Sequence, residues 1–174
     1  PDPDPDSYPV IFEKDGKVGY QDKNGNVIVE AIYGMAHDYW NGVGSVRIDQ
    51  DGTFIWKRVD TNGNFYDYDE VFGFHFGLSA VAKGGKYGFI NTAGELVVPL
   101  NYDQLYCAYT DKARSTYAVR DNQFVYLNLT DGYEESFERY DPNKKAQYRR
   151  TIDIKDYHLA VANDMLIVNG KAQP

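Results

Sequence analysis

The chain has 174 residues, 43% of them hydrophobic, a net charge of -8 and one cysteine, Cys107. This is enough apolar material for one domain with a core. The acidic balance sets aside nucleic acid as a partner, because phosphate binding needs a cationic surface, and a lone cysteine excludes an internal disulfide framework. No apolar run approaches the roughly 20 residues that span a bilayer as a helix, so no transmembrane segment is expected.

Residues 1–8 open with Pro1-Asp2-Pro3-Asp4-Pro5-Asp6, an alternation that neither nucleates a helix nor pairs in a sheet, and read as an acidic, proline-rich tether. Such a polar linker commonly separates a removed export signal or lipid anchor from a folded domain. The expectation is an exported, periplasmic or cell-surface protein of a bacterium. After the tether, short apolar runs such as Ala80-Val81, Phe89-Ile90 and Val97-Val98 are bounded by Gly, Asn or Asp, the pattern of strands joined by tight turns. The first turn of each unit is Lys14-Asp15-Gly16-Lys17 or Lys83-Gly84-Gly85-Lys86, a two-residue hairpin loop that needs positive φ. The second is Asp22-Lys23-Asn24-Gly25, Asp60-Thr61-Asn62-Gly63 or Asn91-Thr92-Ala93-Gly94, suited to a type I turn closed by a left-handed glycine. Pro99 marks where the third strand leaves the sheet. Each unit is therefore expected to be a three-stranded antiparallel meander.

The units recur. Phe12 precedes Gly25, Val81 precedes Gly94 and Val119 precedes Gly132 by thirteen positions each, whereas Val46 precedes Gly63 by seventeen, which places an insertion in the Asp49-Gln50-Asp51-Gly52 hairpin. Tyr33, Tyr68, Tyr102 and Tyr140 follow at steps of 35, 34 and 38. The approximate copies are 9–39, 40–74, 75–108 and 109–140, with a degenerate fifth at 157–174, all within a single repeat domain over 9–174.

The string Gly85-Lys86-Tyr87-Gly88-Phe89-Ile90-Asn91, followed by Gly94, Val97-Val98-Pro99 and Tyr102-Asp103, resembles the WG (KWG) repeat of bacterial proteins. Gly16-Lys17-Val18-Gly19-Tyr20-Gln21-Asp22 with Gly25 resembles it as well, and so does Gly42-Val43-Gly44-Ser45-Val46 with Asp60 and Gly63. Val18 and Tyr87 stand where that family has its tryptophan, and the name-giving tryptophan reads as absent. The resemblance implies a tandem-repeat module without general enzymatic activity, used for binding or scaffolding. It carries over no functional residue.

A lone meander is marginal in water, so the copies must stack, either radially as a small propeller of about four or five blades or as an open curved array. The fold class is all-β on either geometry. Tyr33, Tyr68 and Tyr102 are expected to plug the seams between copies.

Candidate sites are few. Trp40, Trp56 and Tyr66 concentrate flat amphipathic side chains in one third of the chain, and lining a groove they would suit a sugar ring or an extended peptide. Asp67, Asp69 and Glu70 are the carboxylates from which a glycosidase pair would be drawn, although that chemistry needs a fixed separation. Asp22-Lys23-Asn24-Gly25-Asn26 and Asp60-Thr61-Asn62-Gly63-Asn64 resemble the start of a calcium loop. Each lacks the glutamate that completes it, so turn chemistry is the better reading. His37, His75 and His158 lie in connections between copies and read as polar seam residues, and Cys107 as a small buried hydrophobe. Arg139, Lys144, Lys145, Arg149, Arg150 and Lys155 form a local basic segment around Tyr148, and Asn128-Leu129-Thr130 fits a glycosylation sequon by coincidence. The leading expectation is a non-enzymatic binding or scaffolding module of the bacterial cell envelope, engaging a protein, peptide or glycan and needing no cofactor or metal. The alternative is a carbohydrate-active hydrolase on a small propeller.

Overall fold

The computed structural model describes residues 1–106, 109, 114–130, 134–139, 148–154, 157–162, 165–168 and 171–173. Cys107, Gly132, Tyr140, Lys144, Lys145 and Lys155 lie outside the described residues, as do the side chains of Arg139, Tyr148, Arg149, Arg150 and His158. Among the described residues there are five antiparallel sheets and no α-helix. The strands of the first two sheets are β1 (Val10–Lys14), β2 (Lys17–Gln21), β3 (Val27–Tyr33), β4 (Met35–Trp40), β5 (Val43–Gln50) and β6 (Thr53–Val59). Their orders are β1-β2-β3 and β4-β5-β6. A third sheet comprises β7 (Glu70–Val71), β8 (Leu78–Lys83), β9 (Lys86–Asn91) and β10 (Leu96–Tyr102), in the order β10-β9-β8-β7. A fourth comprises β11 (Gln104–Leu105), β12 (Ser115–Arg120), β13 (Gln123–Asn128) and β14 (Glu134–Arg139). The fifth, β15 (Tyr148–Ile154), β16 (Tyr157–Ala162), β17 (Met165–Val168) and β18 (Lys171–Gln173), covers the weakest copy. None of the sheets closes on itself.

The all-β meander is as expected, with one addition. The connections contribute strands of their own: β4, β7 and β11 pair with the first strand of the following meander, through Ala36↔Val46, Val71↔Val81 and Leu105↔Ala118. A full unit therefore has four strands. Two of the three, β7 and β11, are only two residues long, and β4 shows no alternation of apolar and polar side chains, which is why they read as linkers.

The turns are built from the residues that mark the repeat. Asp15-Gly16, Asp51-Gly52, Gly84-Gly85 and Asp121-Asn122 all take positive φ at both positions, the mirror-image turn whose twist matches a hairpin. In the second turn the side chain closes the loop. Asp22 Oδ1 accepts from the Asn24 and Asn26 amides, each at 2.9 Å, and its Oδ2 accepts from Asn26 Nδ2. Asp60 repeats this on Asn62 and Asn64, and Asn91 on Ala93 and Glu95. These side chains satisfy their own backbone, the behaviour of an Asx turn. Asn128 is used in the same way, accepting from the Thr130 amide at 2.8 Å.

Two glycines sit where a neighbouring strand comes too close for any side chain. A Cβ at Gly19 would lie 2.2 Å from the Val29 carbonyl oxygen, and one at Gly88 would lie 2.4 Å from that of Val98. Both stand three residues before the turn residue, Asp22 or Asn91, on the middle strand of their meander. There the third strand folds its carbonyl over the bare Cα. The β2–β3 register shifts on either side of Tyr20 at this crossing.

The chain divides into two compact units, Pro1–Gly84 with Phe89–Val97, and Gly85–Gly88 with Val98–Pro174. In the first, Tyr20, Val29, Tyr39, Val46 and Val59 form a core between the first two sheets. Tyr20 ties them together: its hydroxyl donates to the His37 carbonyl at 2.5 Å, lies 2.8 Å from the Ser45 carbonyl and accepts the Ser45 amide at 2.8 Å. It fills the gap left where the β4–β5 register shifts between His37 and Trp40. Tyr33 packs against the same core. The opening segment lies on this unit. Residues 5–7 form a 3₁₀ turn capped by Asp4, and the Asp2 carboxylate accepts from the Phe76 and Gly77 amides at 2.9 and 2.6 Å.

In the second unit, Tyr106 packs on Val119 and Phe124. Tyr102 donates to Glu134, which also pairs with Arg120 at 2.7 Å.

Gly19→Ala and Gly88→Ala should each cost about 2–3 kcal/mol, the scale of overpacking against an immovable backbone. Gly16→Asn, in open space and with a residue that tolerates left-handed backbone, should cost far less. Urea unfolding of the three variants checks this, and equal midpoints would remove the close approach as a constraint.

Candidate functional site

The second sheet departs from its siblings in two ways, and both fall on β6. The four-residue insertion does not enlarge the hairpin loop. It lengthens β5 and β6 together, so the ladder runs on to Ile48↔Ile55, Asp49↔Phe54 and Gln50↔Thr53. An even number of added residues per strand keeps every side chain on its face. The second departure is a loss. Where β3 and β10 are seven-residue third strands, the second copy has only an isolated bridge, Val59↔Phe65. Gly63 precedes Tyr68 by five residues, whereas Gly25 precedes Tyr33 and Gly94 precedes Tyr102 by eight. The chain is too short to run back along β6 and leaves after Tyr66.

Opposed residues of an antiparallel pair share a face. The ladder thus gathers Met35, His37 and Trp40 of β4, Ser45, Arg47 and Asp49 of β5, and Phe54, Trp56 and Arg58 of β6 on one face of the second sheet. The small Ser45 at its centre lets flanking side chains lean across. His37 stacks on Trp56, with ring centroids 4.4 Å apart and planes 8° apart. Arg58 donates to Ser45 Oγ at 2.6 Å and pairs with Glu70 at 2.7 Å. Arg47 lies 4.2 Å over the Phe54 ring, held flat by a two-point pairing with Asp49 at 2.6 and 3.1 Å. Trp40 is 70% exposed and Phe54 62%. The loop after Trp40 is held by the Phe74 amide, which donates to the Asn41 carbonyl at 2.8 Å.

Of the three aromatic residues singled out in the sequence, this face brings together Trp40 and Trp56. Tyr66 stands elsewhere: its amide donates to the Arg58 carbonyl at 3.0 Å, and burial, reinforced by Asp60, pushes its hydroxyl up to about 12. The carboxylates are all engaged. Asp67 pairs with Lys83, which holds its carboxyl below the usual range, Asp69 accepts from the Gly84 amide, and Glu70 pairs with Arg58. His75 faces Asn41, with Nε2 and Nδ2 3.0 Å apart. Phe54 and Arg47 belong to the face but were not singled out. The signal for them is the insertion itself, which places Phe54 in the added rungs.

The fold defines a class first, an all-β protein of tandem antiparallel meanders. The WG containing repeat matches the chain at residues 19–53, 66–87 and 87–111, so the chain carries that repeat in three copies. No curated protein matches the chain at a significant level. The repeat's register also corrects the reading of its tryptophan. Trp56 stands four residues before Asp60, as Val18 does before Asp22 and Tyr87 before Asn91. The second copy thus has the tryptophan, followed by Lys57 where the others have glycine. The residues between the first two matches, 54–65, are most of β6 and its turn.

The buried tyrosines give a pH test. Burial raises Tyr20 and Tyr66 to about 12, and Tyr39 further still, against an unfolded value of about 10. A raised folded pKa gives stability that is complete below the unfolded value and falls as pH rises toward the folded one. The urea midpoint should therefore drop between about pH 10 and 12. Tyr66→Phe, which keeps the ring, should flatten that drop, and an identical slope in the variant would place Tyr66 in solvent.

Proposed function

We propose that this chain is a non-enzymatic binding or scaffolding module of the bacterial cell envelope, holding a protein, peptide or glycan through the aromatic face of its second sheet. One observation carries the reading: the copy that departs from the repeat is the copy that leaves Trp40 and Phe54 in water, beside a stacked His37–Trp56 pair and a clamped Arg47. Large exposed aromatic side chains on a rigid sheet give contact area at little entropy cost. A repeat built for stability alone has no use for them. The engagement of Asp67, Asp69 and Glu70 in structural contacts supports binding over hydrolysis.

Trp40→Ala/Phe54→Ala should unfold at the wild-type urea midpoint to within about 0.5 kcal/mol, as surface changes do. Its capture of envelope proteins and its signal on a glycan array should both fall at least tenfold. Capture and array signals equal to wild type would defeat the proposal.

A further inference from the structure

We propose that the outer edge of β6 takes up, from another polypeptide, an extended apolar strand of the kind that β3 and β10 supply to their own sheets. This deepens the binding reading above by naming the partner's chemistry. The backbone of β6 turns alternate residues away from β5. The Tyr66 amide donates to the Arg58 carbonyl at 3.0 Å and the Asp60 amide to the Asn64 carbonyl at 2.9 Å, so Arg58 and Asp60 point their backbone groups outward. Because a strand repeats every two residues, Trp56 and Phe54 point theirs the same way. In the first sheet the equivalent strand, β2, is covered on that side by β3, with Val18 opposite Tyr33 and Tyr20 opposite Val29. In the fourth, β13 is covered by β14. Among the described residues no strand covers β6 before Arg58, and Thr53, Phe54, Ile55 and Lys57 are exposed.

An uncovered edge with apolar side chains on both faces is a template for strand addition. Natural edges are blunted by charge, proline or shortness, whereas this one was lengthened by the insertion and presents Phe54, Ile55 and Trp56 in succession. The occupant's chemistry is set by the sibling sheets. Their third strands are Val27-Ile28-Val29-Glu30-Ala31-Ile32-Tyr33 and Leu96-Val97-Val98-Pro99-Leu100-Asn101-Tyr102, rich in β-branched and leucine side chains. Lys57 does not bar such a strand. Val125 holds the same place on β13, three residues before the turn residue Asn128, and β14 passes it with a register shift. The face and the edge share Phe54 and Trp56, so a docked strand would set alternate side chains against the aromatic face and the others against Ile55.

The probe is a fluorescein-labelled synthetic peptide copying residues 27–33, titrated onto the intact chain and followed by anisotropy. Saturable binding is expected, with intermolecular NOEs from the peptide backbone to the Hα protons of Ile55 and Lys57, which face the outer edge between the outward amides of Phe54 and Trp56. Phe54→Pro removes an outward N–H without breaking a β5 bond and should weaken binding at least tenfold. A second variant, with Val-Ile-Val inserted after Asn64 to restore the missing third strand in cis, should also lose at least tenfold and decides the matter should Phe54→Pro unfold. Glu13→Gln, an exposed change on β1 of the first sheet, should bind the peptide within twofold of wild type. Absence of saturable binding, undiminished binding by both variants, or a free chain whose β6 edges pair in a symmetric dimer would overturn the proposal. Loss of envelope capture in Trp40→Ala/Phe54→Ala without peptide binding would sink the edge alone. Peptide binding with unchanged envelope capture would sink the face reading and leave the edge.

Discussion

A carbonyl laid directly over a glycine Cα is the contact on which the first and third sheets depend. At Gly19 and Gly88 the third strand crosses the middle strand too closely for any Cβ, with 2.2 and 2.4 Å to the carbonyl oxygens of Val29 and Val98. This close crossing bends the third strand while it stays paired, and it lets Val29 and Val98 bury their side chains. The strand glycine of the repeat is thus a packing requirement, separate from the positive-φ turn glycines Gly16 and Gly25. The turn three residues later, closed by Asp22, Asp60 or Asn91 on its own backbone amides, fixes where that crossing falls.

In the second sheet the requirement is lifted. With three fewer residues after the turn, no third strand reaches past Arg58 among the described residues, so no carbonyl there needs a bare Cα and Lys57 occupies the position without conflict. Among the described residues, uncovered backbone and the exposed Phe54 ring then occur together on β6, on the side where β2 and β9 carry a third strand. The lengthened hairpin adds Phe54 to the same strand and Arg47 clamps it. Function lives in sites set on a fold and not in the fold itself, and the insertion and the deletion both fall on β6.

Much of this architecture was legible in the residues. Paired turn signals at Asp15-Gly16 and Asp22 to Gly25 gave strands, turn types and repeat spacing, because local backbone chemistry dictates them. The strands β4, β7 and β11 were hidden, since strands of two to six residues without clean alternation carry no periodicity of their own and their pairing is settled by the neighbouring strand. The open edge of β6 was hidden for a different reason. The steps between Tyr33, Tyr68 and Tyr102 are nearly equal because the four-residue insertion and the three-residue deletion almost cancel, so the even tyrosine spacing masked two changes of opposite sign. Trp40 and Trp56 were recognisable as candidates by residue type, whereas their shared face required the β4–β5–β6 register, and Tyr66 looked like their partner only because it is near in sequence.

Residue-resolved amide hydrogen exchange in the free protein bears most directly on the contrast between the first and second sheets. Val18 and Tyr20, whose outward groups face β3, should be strongly protected, whereas Phe54 and Trp56 should exchange orders of magnitude faster, close to the rate of unpaired amides. Equal protection of the two sets would mean that β6 is covered, and the account of an unfilled strand position in the second copy would be wrong.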